Sequence, residues 1–307
     1  MKNILIYAVA LAVLIVAPAV VYPVLLMKLL CFALFASAFN LLLGFTGLLS
    51  FGHAAFFGGA AYFTGHALKV WGLPTELGIL IGALGGGVLG LLFGMLAIRR
   101  QGIYFAMITL ALAQMTYFFF VQAPFTHGED GLQAIPRGTL LGMVDLDDNT
   151  SMYYLVLAIF VAGFWLVQRT IHSPFGQILK AIRENEPRAV SLGYQVNRYK
   201  LLAFVLSASL AGLAGGTKAV VFQLASLTDA HWHMSGEVVL MTLLGGLGTI
   251  FGPAIGAATV VTLQNLLASG PLSAWVPVVM GLIFVVCVLA FRRGIVGELR
   301  RLIKESF

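Results

Sequence analysis

The sequence predicts an all-α polytopic membrane protein with about 8–10 transmembrane helices. Hydrophobic residues make up 60% of the 307 residues and charged residues only 10%. Such a composition leaves too little polar surface to cover a soluble globular domain. Uncharged runs of about 20 residues, the length of helix that crosses a hydrocarbon core, recur along nearly the whole chain. We therefore expect residues 1–307 to form one transmembrane domain.

Short polar or charged breaks divide the chain into ten apolar runs. The first run is interpreted as an uncleaved span rather than a signal peptide, because further spans follow it at once. The two longest breaks are an outer loop over 123–151 and a basic stretch over 170–199. The predicted spans lie near residues 4–22, 24–44, 47–64, 77–98, 102–122, 152–168, 200–222, 236–251, 253–269 and 274–291.

Basic residues are distributed unevenly between the two predicted sides of the membrane. If the N-terminus is inside, the inner side holds Arg99, Arg100, the basic stretch and a basic tail from residue 292, whereas the outer loop is acidic. Positively charged loops favour the cytoplasmic side, so both termini are predicted to be cytoplasmic. The net charge of +6 reflects this sidedness and requires no nucleic-acid partner.

An inverted repeat is one hypothesis for the arrangement of the spans. Five predicted spans precede the outer loop and five follow it, and an odd number per half would invert one half relative to the other. The sequence similarity between the halves is limited to SFGHA at 50–54 and IFGPA at 250–254. Chance explains a match this short equally well.

The inner stretch from 172 to 200 predicts two short helices set at an angle. Ser173 suits the N-cap position and Pro174 the first helical position. Pro187 disfavours helix in the residue before it and can open a second helix, which Gly193 would end. The apolar face of the first helix would be formed by Phe175, Ile178, Leu179 and Ile182. Such a pair suits docking into a partner's groove, although a solvated loop held by one apolar face fits the same periodicity.

Polar residues within apolar spans are candidates for lining a substrate pathway. The stretch from 44 to 62 holds five glycines, which make a helix easy to break, and His53 lies near its middle. A histidine bonded between helices is an equally ordinary interpretation, and Glu237 lies near an outer end, where water can reach it. The pathway candidates are Ser50, His53, Thr109, Gln114, Glu237 and Thr242.

No catalytic or metal-binding constellation is predicted. The chain has no phosphate-binding G-x-x-x-x-G-K-[ST] loop, no H-E-x-x-H motif and no G-x-S-x-G elbow. Asp229, His231 and His233 could ligate a metal, but no fourth ligand lies nearby in the sequence.

Four stretches closely resemble, in the same order, the branched-chain amino acid ABC transporter permeases of the LivM type. The resemblance covers about residues 25–295. The matching stretches are GLLSFGHAAFFGGAAY (47–62), GIYFAMITLALAQM (102–115), SPFGQILKAIRENEPRAVSLGYQVNRYKLLAFVLSASLAGLAGG (173–216) and SGEVVLMTLLGGLGTIFGPAIGAA (235–258).

The resemblance implies a permease subunit of an importer that moves leucine, isoleucine and valine across the bacterial cytoplasmic (inner) membrane. It implies four partners: a second homologous permease, cytoplasmic P-loop ATPase subunits, a periplasmic or extracellular substrate-binding protein, and the lipid bilayer. This chain would need no cofactor, because the ATPase subunits use the ATP. Related permeases for urea or short amides share the fold, so these substrates are an alternative. A further alternative is a different class of transporter, an ion-coupled secondary transporter.

In that family the inner loop binds in a cleft of the ATPase. The resemblance therefore assigns the coupling role to residues 170–199 of this chain. Importers of the wider class usually show Glu-Ala-Ala followed by Gly in this loop. Only Glu186 and Gly193 of that pattern are recognisable in this chain. The residues assigned to coupling are Ser173, Phe175, Arg183, Glu184, Glu186, Arg188 and Gly193.

Overall fold

The computed structural model describes residues 2–140, 142–268, 275–290 and 294–298. In these ranges the chain is mostly helical, with two small two-stranded sheets. The helices are α1 (Lys2–Val16), α2 (Pro23–Thr46), α3 (His53–Lys69), α4 (Thr75–Ala97), α5 (Ile103–Gln122), α6 (Asn149–His172), α7 (Pro174–Glu184), α8 (Glu186–Ser191), α9 (Val196–Phe222), α10 (Leu227–Ala230), α11 (Trp232–Gly245), α12 (Gly252–Ala268) and α13 (Val276–Ala290). The strands are β1 (Leu132–Gln133), β2 (Thr139–Leu140), β3 (Val144–Asp145) and β4 (Leu224–Ala225).

Every predicted span contains one of these helices, so the prediction of an all-α fold is confirmed. Within the described ranges, five helices are long and apolar enough to cross a membrane: α2, α4, α5, α6 and α9. The remaining span helices are shorter, and a total of eight to ten crossings stays a prediction. Several predicted boundaries were wrong: α1 ends at Val16 rather than near residue 22 and α3 ends at Lys69 rather than near residue 64. Two further differences adjoin turns, because α3 begins at His53 rather than near residue 47 and α11 ends at Gly245 rather than near residue 251. In both places a non-helical turn occupies the missing residues.

Helices α2 and α9 form the centre of the bundle. In the apolar window of each, 72% of the residues are buried, against 33% in α5 and α6. Helix α9 packs against α2, α3 and α4. The outer faces of α4, α5 and α6 carry exposed aliphatic and aromatic side chains, as expected of surfaces that contact lipid.

Glycines allow the central helices to approach closely. A Cβ on Gly86 of α4 would overlap the backbone of α9 at Ala208 and Gly212. A Cβ on Gly215 of α9 would overlap the carbonyl group of Phe57 in α3. Because lipid tails are as apolar as core side chains, helix association in a membrane depends on such close packing. These two contacts fix the spacing of α3, α4 and α9.

The two FG-containing segments contact different parts of the bundle. Asn40, near the end of α2, donates from Nδ2 to the Thr249 carbonyl at 2.9 Å and accepts from the Gly248 N–H at 3.1 Å. This contact joins the end of α2 to the turn between α11 and α12. IFGPA lies after the end of α11, whereas Phe51 of SFGHA contacts Ser235 in the first turn of α11, so the two segments lie near opposite ends of that helix. The five-plus-five arrangement stays a prediction.

The outer loop over 123–151 folds onto the other end of the bundle. Strand β1 of the loop pairs antiparallel with β4, and the loop's own Leu132 and Ile135 side chains are buried. Arg137 donates to the Val221 carbonyl at 2.7 Å and to the Asn149 side chain at 3.0 Å. The described part of the loop is therefore an ordered cap. The basic residues of the predicted tail, Arg292, Arg293, Arg300, Arg301 and Lys304, lie outside the described residues.

Candidate functional site

A break in the backbone separates α2 from α3. Helix α2 ends in a left-handed glycine, Gly47 (φ +79°), and no helix resumes until His53. Phe51 donates its N–H to Thr109 Oγ1 at 3.1 Å, and its carbonyl accepts from Ser235 Oγ at 2.7 Å. Ser235 Oγ also accepts from the Ala54 N–H at 2.9 Å. These freed backbone groups of the break therefore bond to protein side chains.

His53 lies in a closed aromatic environment. Its Nε2 is 2.8 Å from Ser207 Oγ, and the Ser207 hydroxyl donates to the Ala38 carbonyl at 2.5 Å. Since that hydroxyl proton is used, His53 Nε2 is assigned as the donor. The edges or faces of Phe39 and Phe56 surround the fully buried ring. This environment favours the structural interpretation of His53, and its pathway role stays a prediction.

Three of the other predicted pathway residues, Ser50, Thr109 and Thr242, form hydrogen bonds with the backbone. Ser50 and Thr109 are fully buried, and both bond to the backbone of the break. Thr242 is also buried and donates to the carbonyl one turn earlier in its own helix. Gln114 keeps a buried Oε1 with no hydrogen-bond partner. Glu237 is half-buried in the second turn of α11.

The inner segment forms the predicted pair of short helices. Ser173 Oγ accepts from the Gly176 N–H at 3.3 Å and so caps α7. Asn185 caps α8 by accepting from the Arg188 N–H at 3.0 Å. Gly193 follows in the left-handed conformation (φ +88°). We call α7 and α8 together the coupling hairpin; its predicted cap at Ser173 and its predicted stop at Gly193 are confirmed, and the cap at Asn185 was not predicted.

The underside of the coupling hairpin is attached to its own chain. Ile182 packs in a small core with Ala189 and Val196 of α9. The Phe175 ring stacks on a tyrosine of α9 at a centroid distance of 5.8 Å. Glu186 forms a 2.6 Å ion pair with Lys200, whose side chain is almost completely buried. The carboxylate assigned to the ATPase contact is therefore used within this chain.

Arg183 joins the coupling hairpin to the inner end of α2. Its guanidinium group donates to the Gly44 carbonyl, and its side-chain carbons pass beside Gly47. One turn earlier in α7, Lys180 Nζ lies 5.8 Å from the centre of the Phe45 ring. Both contacts are made immediately before the backbone break. Displacing α7 would therefore pull directly on the end of α2.

The outward face of the coupling hairpin carries an apolar patch that sequence analysis missed. Val190 and Leu192 are 56% and 69% exposed, and the predicted coupling residues Glu184 and Arg188 are exposed beside them. A six-residue helix is too short to show a periodic apolar face, so only the presence of two large apolar residues in a polar segment could have signalled the patch. Apolar exposure rimmed by charge is typical of a protein interface.

The metal hypothesis receives no support. Among the described residues, no group of three or more His, Cys, Asp or Glu side chains is arranged to hold a metal ion. Asp229 instead forms an ion pair with Lys218, while the rings of His231 and His233 stack on each other at 5.0 Å.

A single family model matches most of the chain. The family described as "Branched-chain amino acid transport system / permease component" matches residues 24–288. The high-affinity branched-chain amino acid permease protein LivM of Escherichia coli is 26% identical over 251 residues, which are 74% of this chain and 59% of that protein. The autoinducer 2 import permease LsrC of Klebsiella pneumoniae is 31% identical over 64% of this chain and 55% of its own length. The ribose import permease RbsC of Bacillus subtilis is 30% identical over 59% and 58%.

The chain spans about half to three fifths of the length of these curated relatives. Among solved structures, PsaBC from Streptococcus pneumoniae in complex with Fab aligns with 90% of this chain and 95% of its own at a TM-score of 0.46 and 14% identity.

Proposed function

Because this chain belongs to the family of branched-chain amino acid transport permease components, we propose that it is a transmembrane subunit of a binding-protein-dependent ABC importer. The family consists of transporter permeases and not of enzymes, and the chain is a multi-pass membrane protein. The match over residues 24–288 is the observation that carries the proposal, since it includes the bundle and the coupling hairpin together.

The proposed substrates are leucine, isoleucine and valine. The family description and the LivM relative favour amino acids. The LsrC and RbsC relatives, at similar identity, carry names that refer to autoinducer 2 and to ribose. A polar uncharged substrate, including urea or a short amide, is therefore the second candidate.

The proposed assembly contains a second homologous permease, cytoplasmic P-loop ATPase subunits and a substrate-binding protein on the outer side. Residues 1–307 would act as one permease domain in the bacterial cytoplasmic membrane, with both termini in the cytoplasm. Residues 170–199 would form the ATPase-coupling segment, and the capped outer loop 123–151 would face the binding protein.

Coupling would pass through the hairpin in two steps. The exposed face with Arg188, Val190 and Leu192 would seat in the ATPase. The opposite face, bonded to the Gly44 carbonyl through Arg183, would transmit the movement to the end of α2. Ser173 and Gly193 would fix the ends of the hairpin, and Phe175 would anchor it to α9 by stacking on Tyr199.

Reconstitution tests this proposal. Proteoliposomes holding the two permeases and the ATPase, supplied with binding protein and internal ATP, should accumulate labelled leucine. Omitting any one component should abolish uptake, and urea and ribose complete the substrate panel. Uptake by this chain alone, driven by an ion gradient, would contradict the proposal and favour a secondary transporter.

A further inference from the structure

We propose that a charged cluster at the outer end of the bundle binds the ammonium and carboxylate groups of a zwitterionic amino acid. The cluster consists of Lys28, Lys218, Asp229 and Glu237, and it would receive the substrate before translocation. This inference rests on the proposed importer function and specifies its substrate class.

The four residues come from four different helices that meet at one end. Lys28 is in the second turn of α2 and Glu237 in the second turn of α11. Lys218 is one turn before the end of α9, and Asp229 belongs to the short helix α10 that follows. Strand β4, which directly follows α9, pairs with β1 of the outer loop. The cluster therefore lies at the end of the bundle opposite the coupling hairpin.

The inner part of the cluster is a fixed and neutral pair. Lys218 Nζ and Asp229 Oδ1 form an ion pair, with side-chain exposures of 16% and 3%. The same Nζ lies 5.8 to 5.9 Å from the ring centres of Phe32, Phe57 and Phe222. An ammonium group at this distance from aromatic rings is held by cation–π attraction. Because each charge already has its partner, this pair supplies the rigid floor of the site.

The outer part of the cluster holds two opposite charges that do not touch. Lys28 and Glu237 interact electrostatically with each other and with the inner pair. The ion pairs found within 4 Å in the described residues are Lys218–Asp229 and Lys200–Glu186, so Lys28 and Glu237 are farther apart than that. Glu237 interacts with the Gln264 side chain, and a carboxylate can accept further hydrogen bonds from a ligand. Half-buried charges of opposite sign that do not pair with each other suit a ligand carrying both signs.

A buried hydroxyl group provides a second and independent observation. The Tyr62 side chain is completely buried, yet its hydroxyl has no hydrogen-bond partner. That hydroxyl interacts electrostatically with Asp229, and α10 packs on α3 one turn before Tyr62, where a Cβ on Gly58 would overlap Ala230. Buried polar groups are normally bonded, so an unpartnered one next to a charged cluster indicates a missing ligand group.

The arrangement favours an amino acid over an uncharged substrate. The substrate carboxylate would meet Lys28, and its ammonium group would meet Glu237. The cluster as a whole has two positive and two negative groups, so a zwitterion leaves it neutral. Urea or a sugar would leave both outer charges without a partner, at a free-energy cost.

Binding of labelled leucine to the purified complex of both permeases and the ATPase, without binding protein, tests the site. Competitors are leucinamide, which lacks the carboxylate, and 4-methylpentanoate, which lacks the ammonium group. Lys28→Gln should weaken leucine binding by about tenfold and leave leucinamide competition unchanged, since a bond to a charged group is removed. Glu237→Gln should weaken leucine binding similarly and leave 4-methylpentanoate competition unchanged. Lys69→Gln and Glu129→Gln, two exposed outer positions, are the matched controls.

Three results would overturn the inference. They are wild-type affinity for leucine in both cluster variants, an equal loss of affinity for leucine and both analogues, and no saturable leucine binding by the wild-type complex. ATP-dependent leucine uptake in proteoliposomes separates this failure from that of the proposed function. Normal uptake by the cluster variants removes the site and leaves the importer. Absence of ATP-dependent uptake of every substrate by the wild-type complex removes the importer.

Discussion

Arg183 offers the sharpest test of how ATP use reaches the membrane helices. The change Arg183→Gln removes the charged donor to the Gly44 carbonyl but leaves the exposed hairpin face around Leu192 intact. A hydrogen bond to a charged group contributes about 1.5–3 kcal/mol. Arg183 is largely open to water, which places its bond at the low end of that range. At about 1.4 kcal/mol per factor of ten, we expect about a tenfold loss in leucine molecules moved per ATP hydrolysed.

The assay measures uptake and phosphate release in the same proteoliposomes. ATP hydrolysis and co-purification of the ATPase should persist in Arg183→Gln, because the docking face is unchanged. Arg183→Lys keeps the charge without the planar fork and should fall between wild type and the glutamine variant. Arg100→Gln removes an exposed inner arginine elsewhere and serves as the control. A wild-type transport-to-hydrolysis ratio in Arg183→Gln would refute the reasoning, as would loss of the ATPase from the complex.

Three further predictions concern stability and docking. Glu186→Gln leaves the buried Lys200 without its ion-pair partner and should lower the free energy of unfolding by about 3 kcal/mol, visible as a lower midpoint in thermal unfolding of the purified complex; an unchanged midpoint would contradict the buried pair. Leu192→Ser should weaken ATPase binding by about 1.5 kcal/mol or more in a titration, without changing thermal stability; unaltered binding would exclude this side chain from the interface. Gly215→Ala should sharply reduce folded protein in the membrane, whereas Gly236→Ala, where a Cβ meets nothing within 4 Å, should not; equal yields of the two variants would contradict the proposed close helix contact.

Local patterns predicted the coupling hairpin almost completely. Caps, helix stops and short apolar faces depend on residues within about one turn of each other, so Ser173, Pro187 and Gly193 were sufficient to define it. The direction of individual side chains was less predictable. Glu186 and Arg183 were assigned to a partner, but both make bonds within this chain, and these bonds depend on where α2 and α9 end.

In the glycine-rich segment over 44–62, too, a local feature was predictable and its distant partners were not. Its glycines predicted a break, and the break is present between Gly47 and His53. The groups that satisfy it come from Thr109 and Ser235, which lie 58 and 184 residues from their partner Phe51. No local pattern indicates such partners, because they depend on how distant helices pack.

The sequence by itself determined the membrane class, the order of the helices, the coupling hairpin and the family, because hydrophobicity, caps and motifs are properties of contiguous residues. Only the tertiary structure decided that His53 lies in an aromatic core and that Lys28, Lys218, Asp229 and Glu237 share one end of the bundle. The physical reason is that burial and charge pairing depend on distances through space, and helix packing sets these distances between residues up to two hundred positions apart.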